Sequence, residues 1–280
     1  MLRVRSMTYR RLSNKNVQII STIAASTGLL FLIWILSTVL VKGIAAFNWS
    51  FFVDIPTPPG IEGGGIANAI VGTFLMTLLA TVMAIPVGLL AGVYLAEFGK
   101  EGKFASAIRF TTNVLIGVPS IIVGIFVYAL IVIPMNKFSG YAGAFALGVI
   151  MFPVVVRATE DMLQMVPDSL RESSLALGIP RWRTTLGIVF REARNGLLTG
   201  ILLAVARVSG ETAPLLFTAL NSSYWVKSLS GPTPNMTVTI FNYAMSPYSD
   251  WQSKAWGASL LITGGVLFIT IIARFYLAKK

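Results

Sequence analysis

Val156-Arg157-Ala158-Thr159-Glu160-Asp161 ends one apolar run, a charged connector follows over 167–195, and a second apolar run, 196–220, holds Arg207 and Glu211 inside it. A charge at the bilayer midplane costs about 2.5–3.5 kcal/mol on insertion scales. A chain that keeps such charges, and joins them through a basic connector, reads as the coupling part of an energised transporter. The remaining runs read as its scaffold. The connector divides into two short helices at Gly178-Ile179-Pro180, with Asp168 or Ser169 as the first N-cap.

The composition supports a membrane class. Of 280 residues, 55% are hydrophobic and 12% charged, against ~25% charged in soluble domains. The mean hydropathy is +0.76. Neither Cys nor His occurs, which excludes thiolate nucleophiles, disulfides, imidazole acid–base chemistry and the usual zinc sites. No G-x-x-x-x-G-K-[ST] stretch occurs, so no P-loop ATPase is expected in this chain. Gly63-Gly64-Gly65 lacks the Lys-Ser/Thr ending of such a loop and reads as a hinge before the next apolar run.

Working outward from the connector, six runs are apolar enough to span: 17–41, 66–96, 108–133, 141–156, 196–220 and 256–277. Residues 1–16 form a basic tail, and 17–280 form one all-α transmembrane domain with the connector 167–195 on its cytoplasmic side. No small-residue cleavage site follows the first run, so no cleavable signal is expected. Pro86 predicts a kink in the second run. Gly117-Val118-Pro119-Ser120 predicts a break in the third. The long segment 221–255 reads as a polar, aromatic loop. With this layout sixteen Lys and Arg residues fall on one side and four on the other, which places both termini in the cytoplasm and accounts for the high pI without nucleic acid.

Arg207 and Glu211 are four residues apart, so on one helix they share a face. Arg207 would lie ~17 Å into its span at 1.5 Å per residue. Two readings stay open: a self-neutralising structural pair, or a pathway site. In the second, Arg207 meets an anionic substrate, Glu211 holds it in place or exchanges with the substrate, and Ser209 and Thr212 add hydroxyl donors. Arg157 lies ~24 Å along its helix, near the cytoplasmic side; it either pairs with Glu160 or Asp161 or serves the pathway. In the connector, Leu170, Ser174, Leu177 and Gly178 recur at helical spacing and offer a docking face. Trp182 among basic residues suits a lipid surface equally well.

Glu172-Ser173-Ser174-Leu175-Ala176-Leu177-Gly178, with Ile188 ten residues after the glycine, resembles the Glu-Ala-Ala…Gly…Ile loop of ABC-importer permeases. Serines stand where that loop has alanines, and Phe190-Arg191 where it often ends in Leu-Pro; the spacing is kept. Three further stretches resemble the phosphate-permease group, PstA and its partner PstC: 64–73, 85–97 and Ala206-Arg207-Val208-Ser209-Gly210-Glu211-Thr212-Ala213-Pro214-Leu215. The resemblance implies the type I ABC-importer permease fold with six transmembrane helices in the bacterial inner membrane. It implies a phosphate importer whose ATP and Mg sit on a partner, with no cofactor in this chain. The implied partners are a PstC-like second permease, two PstB-like ATP-binding subunits and a periplasmic PstS-like phosphate-binding protein. Asp168, Glu172, Leu175, Gly178, Ile179, Trp182 and Ile188 would dock on the ATPase. Arg157, Arg207 and Glu211 would line the pathway. Another oxyanion such as sulfate or molybdate, a gradient-driven secondary transporter, or a membrane scaffold without transport are the alternatives.

Overall fold

The computed structural model describes residues 7–99 and 102–277. Among them the chain is helical, with one isolated β-bridge between Pro56 and Gly64. α1 (Met7–Ala45) leads to the short α2 (Trp49–Val53), capped by Asn48, whose Oδ1 accepts from Phe51 N at 2.7 Å. α3 (Ala67–Val93) runs on through Pro86 without a break and finishes in a π-turn, Tyr94–Phe98. α7 (Gly140–Gln164), capped by Ser139, lies beside it.

The α3–α7 pair is the centre of the molecule. Met76, Ala80 and Ala84 of α3 and Leu147, Met151 and Val155 of α7 are buried in one cluster with Val208. Small residues set the separation. A Cβ on Gly88 would lie 2.8 Å from Val155 Cγ1, and one on Gly92 2.5 Å from Thr159 Cβ. In a bilayer, where no hydrophobic drive joins helices, such close backbone approach supplies the packing.

The third apolar run breaks where expected. α4 (Lys103–Gly117) and α5 (Ser120–Val127) meet at 105° across Val118-Pro119, and a π-turn (Tyr128–Val132) and α6 (Ile133–Met135) complete the second arm. Proline holds the preceding residue extended, and Val118 has ψ 129°.

The six expected spans are realised differently. Ser13–Ala45, Ala67–Phe98, Gly140–Gln164 and Ser249–Phe275 are long and apolar enough to cross a membrane, and the bent pair makes a fifth. The run 196–220 is not one helix: α10 (Phe190–Ser209) stops at Gly210, and α11 (Ala213–Thr218) starts at the Ala213-Pro214 step. Pro214 fits the first turn of a new helix but could not continue the old one.

Residues 221–255 are not all loop. α12 (Met236–Ala244) forms within them, capped by Asn235, and α13 (Ser249–Leu277) begins before residue 256 with Asp250 in its first turn. α13 packs along α1, α10 and α12. Gly63-Gly64-Gly65 is a pinned turn rather than a hinge. Gly65 N donates to Ile55 O at 3.1 Å, and Gly63 O accepts from Thr57 Oγ1 and from Lys254 Nζ.

The connector forms α8 (Asp168–Ala176), α9 (Arg181–Thr184) and a π-turn, Thr185–Val189. Pro167, not Asp168 or Ser169, occupies the N-cap, and no side chain caps this helix.

Candidate functional site

Ending α10 at Ser209 changes how Arg207 and Glu211 meet. They do not share a helical face. Arg207 projects from the last turn of α10, and Glu211 sits in the bend before α11. Among the described residues no ion pair joins them. Both line one cavity of about 290 Å³ at the α4–α5 elbow, with Leu115, Gly117, Pro119 and Ser120 on one wall and Ile150 and Val154 of α7 on another. Arg207 is exposed in the single chain, and Glu211 is half-buried. A guanidinium and a carboxylate that face the same partly apolar space without cancelling one another can bind a charged guest.

The bend is held from outside. Thr237 Oγ1, in the first turn of α12, donates to Glu211 O at 2.9 Å. α12 is itself tied to α3 by Met236 N donating to Thr73 Oγ1 at 2.8 Å. The expected hydroxyls lie elsewhere. Ser209 Oγ donates to Ala206 O at 2.8 Å, and Ser209 faces an apolar groove between α3, α10 and α13. Thr212 precedes α11 and is not in the cavity wall.

Arg157 lies nearer the hairpin end of α7 and α10. A Cβ on Gly200 would touch Ala158 Cβ at 2.8 Å, so Arg157 is level with residues two turns, or ~10 Å, before Arg207. It pairs with Glu160 Oε2 at 3.4 Å and Asp161 Oδ1 at 3.5 Å, with about half its side chain exposed. Glu160 is the residue that sequence reading undervalued. Its carboxylate is 3% exposed and also accepts from Arg109 Nε at 2.7 Å and Gln164 Nε2 at 3.2 Å. A buried carboxylate keeps its charge only with such partners. The hint was present: Arg109 sits at the start of an apolar run, where a lone cation needs an acid.

The 168–188 hairpin presents the expected docking residues in two ways. Asp168, Glu172, Leu175, Gly178 and Trp182 are exposed, while Ile179 and Ile188 are half-buried. Gly178 turns the chain at φ +76°, a conformation in which a side chain is strained. Ser174 does not join an outward face. It is buried, its hydroxyl 2.8 Å from that of Thr184, so the pair staples α8 to α9. Leu177 (80% exposed) and Trp182 (55%), the latter with the Arg183 guanidinium 5.0 Å from its ring, are then exposed at the hairpin tip. Apolar side chains so placed on a polar hairpin are available for contact with a partner surface.

Three comparisons bear on the chain. Residues 84–279 match the family described as binding-protein-dependent transport system inner membrane component. The phosphate transport system permease protein PstA of Yersinia pestis is 47% identical over 278 residues, covering 99% of this chain and 94% of that protein. PstA 1 of Mycobacterium tuberculosis (strain ATCC 25618 / H37Rv) is 36% identical over 279 residues, covering 97% and 90%. The inward-facing MetNI methionine ABC transporter aligns with a TM-score of 0.61 over 76% of this chain and 93% of that one, at 18% identity, a likeness of fold alone. The chain belongs to the binding-protein-dependent inner-membrane transport components, and among them to the PstA phosphate transport system permeases.

Proposed function

We infer that this chain is the permease subunit of an ATP-driven phosphate importer and that inorganic phosphate passes the α4–α5 elbow. The observation that carries the reading is the cavity itself, where Arg207 and Glu211 face one space without pairing. Arg207 supplies the charge that meets phosphate oxygens, which a guanidinium matches with two parallel donors. Glu211 sets the orientation and repels a guest that would stay too long. Arg157 serves the same path nearer the cytoplasm, where it exchanges its contacts with Glu160 and Asp161 for the passing anion. Ser209 and Thr212 flank the bend and join the path when the 210–212 segment moves.

ATP and its magnesium act on a separate subunit, consistent with the lack of a P-loop sequence here. The partners are a PstC-like permease facing Arg207, two PstB-like ATPases and a PstS-like phosphate-binding protein. The hairpin docks on an ATPase through Glu172, Leu175, Trp182 and the Gly178 turn, with Asp168, Ile179 and Ile188 shaping it. Both termini face the cytoplasm, following the distribution of Lys and Arg.

The test is uptake of labelled phosphate by the complex purified from native membrane and reconstituted, with and without ATP and with excess sulfate. ATP-dependent uptake that sulfate does not reduce is the expected result. Uptake independent of ATP would replace this reading with a gradient-driven transporter. Competition by sulfate would move the substrate to a broader oxyanion class.

A further inference from the structure

The importer reading leaves open how movement of an ATPase at the hairpin reaches a cavity in the membrane. We propose that the π-turn Tyr94–Phe98 is the junction of that transmission, with Arg171, Glu97 and Arg109 as its positioning residues.

Arg171 lies in the hairpin yet does not face outward. Its side chain is 13% exposed and that of Glu97 10%. Nε and Nη2 donate to the Glu97 carboxylate at 3.1 and 2.7 Å. Nη1 donates to Val166 O at 2.5 Å and to Asp168 Oδ1 at 3.2 Å, and Nη2 also donates to Leu163 O at 2.6 Å. Every guanidinium nitrogen is engaged, so α8 is fixed to the end of α7 and to the π-turn at once. Lysine could not reproduce this, because an ammonium lacks the planar fork.

The same turn carries a second contact. Leu95 O accepts from Arg109 Nη2 at 3.0 Å, and Arg109 Nε pairs with the buried Glu160 of α7. Hairpin and α4 are therefore both clamped to one short segment. That segment is a π-turn, a geometry that leaves the regular helical ladder and recurs at functional sites. From Arg109, α4 continues for eight residues, or ~12 Å, to Gly117 at the wall of the Arg207 cavity. Beyond Gly117 the helix turns by 105°. A helix clamped at one end and jointed at the other carries a displacement to its joint. The hairpin thus shifts the cavity wall through α4, without contact between the hairpin and Arg207.

The experiment uses the reconstituted full complex and measures phosphate uptake and ATP hydrolysis together for Glu97→Gln, Arg109→Gln, Arg171→Lys and the Glu97→Gln/Arg109→Gln pair. Uptake per ATP hydrolysed should fall at least about fivefold in each single variant, the lower end of ordinary intersite coupling. The pair should be no worse than its weaker member, because contacts in series are not additive. Contacts that merely brace the fold would lower thermal stability and leave the ratio unchanged, and that result overturns the proposal. A wild-type complex without ATP-driven uptake would instead overturn the importer reading beneath it.

A distance measurement covers variants that do not assemble. The chain has no native cysteine, so spin labels at Ser173→Cys, exposed on α8, and Val114→Cys report the hairpin and α4 in otherwise unaltered protein. Their separation should stay constant between nucleotide-free and nucleotide-trapped complexes, while that from Val114→Cys to Phe268→Cys on α13 changes. A hairpin–α4 distance that changes instead would refute the linkage.

Discussion

The two charged regions of this chain are built on opposite principles. At the hairpin end, Glu160, Arg109, Glu97 and Arg171 are saturated: each has partners at 2.7 Å and the two carboxylates are nearly buried. At the α4–α5 elbow, Arg207 and Glu211 share a cavity and leave each other unpaired. Buried charges that are fully partnered hold geometry. Charges kept apart across a cavity retain their capacity for a guest. On the proposed reading, the difference separates residues that transmit from residues that bind.

Substituting each region in turn can break this division. Arg207→Gln should have the largest effect: phosphate uptake at least about thirtyfold lower, the lower end of a lost charged contact worth ~2–5 kcal/mol, with the complex still assembled. Loss of assembly would mean that the elbow charges are structural. Glu160→Ala should act on stability, costing about 3 kcal/mol in a thermal melt of the purified protein, because it strips the main partner from Arg109. A melt unchanged by Glu160→Ala, with uptake abolished, would invert the division. Gly178→Val forces a β-branched residue into φ +76°. At about 1–2 kcal/mol for that conformation, co-purification of the ATPase should drop severalfold, and normal co-purification would remove the hairpin tip from the interface. Arg157→Gln should have the smallest effect. Its contacts are long and half exposed, and pairs of that kind contribute about 0–1 kcal/mol, so uptake should fall by no more than about fivefold. A loss as large as that at Arg207 would make Arg157 an equal member of the binding site.

Much of the fold was legible because it follows from local chemistry. The Gly117–Ser120 break needs only a proline and its neighbour, and the Gly178 turn only a glycine between two short helices. The apolar runs 17–41 and 66–96 were visible by length. What was not legible depended on tertiary satisfaction. Hydropathy carried 196–220 through as one span, since Gly210 and Pro214 cost little in an average over the window; in the fold they end one helix and start another. That also explains why Arg207 and Glu211, read as sharing one helical face, instead line a common cavity from either side of the bend. α12 escaped notice because its nine residues are stabilised by the Asn235 cap and by α3 and α13, not by a periodic pattern. Glu97 with Arg171 could not be foreseen from residues 74 positions apart. Ser209 and Thr212 were chosen as hydroxyl donors near Arg207 in sequence, but neither lines the cavity that Arg207 lines, and Ser209 Oγ donates to Ala206 O instead.

The most direct measurement places a single reporter in the cavity wall. Ser120 is half-buried at the first turn of α5 and lines the Arg207 cavity, and no native cysteine competes with a label in this chain. In the reconstituted complex, Ser120→Cys would be treated with a charged thiol reagent in the presence and absence of phosphate during ATP turnover. If phosphate passes this elbow, modification blocks uptake, and phosphate slows modification while sulfate does not. A cysteine that reacts at the same rate with and without phosphate, and whose modification leaves uptake intact, would put the path elsewhere and contradict the division between binding and transmitting charges.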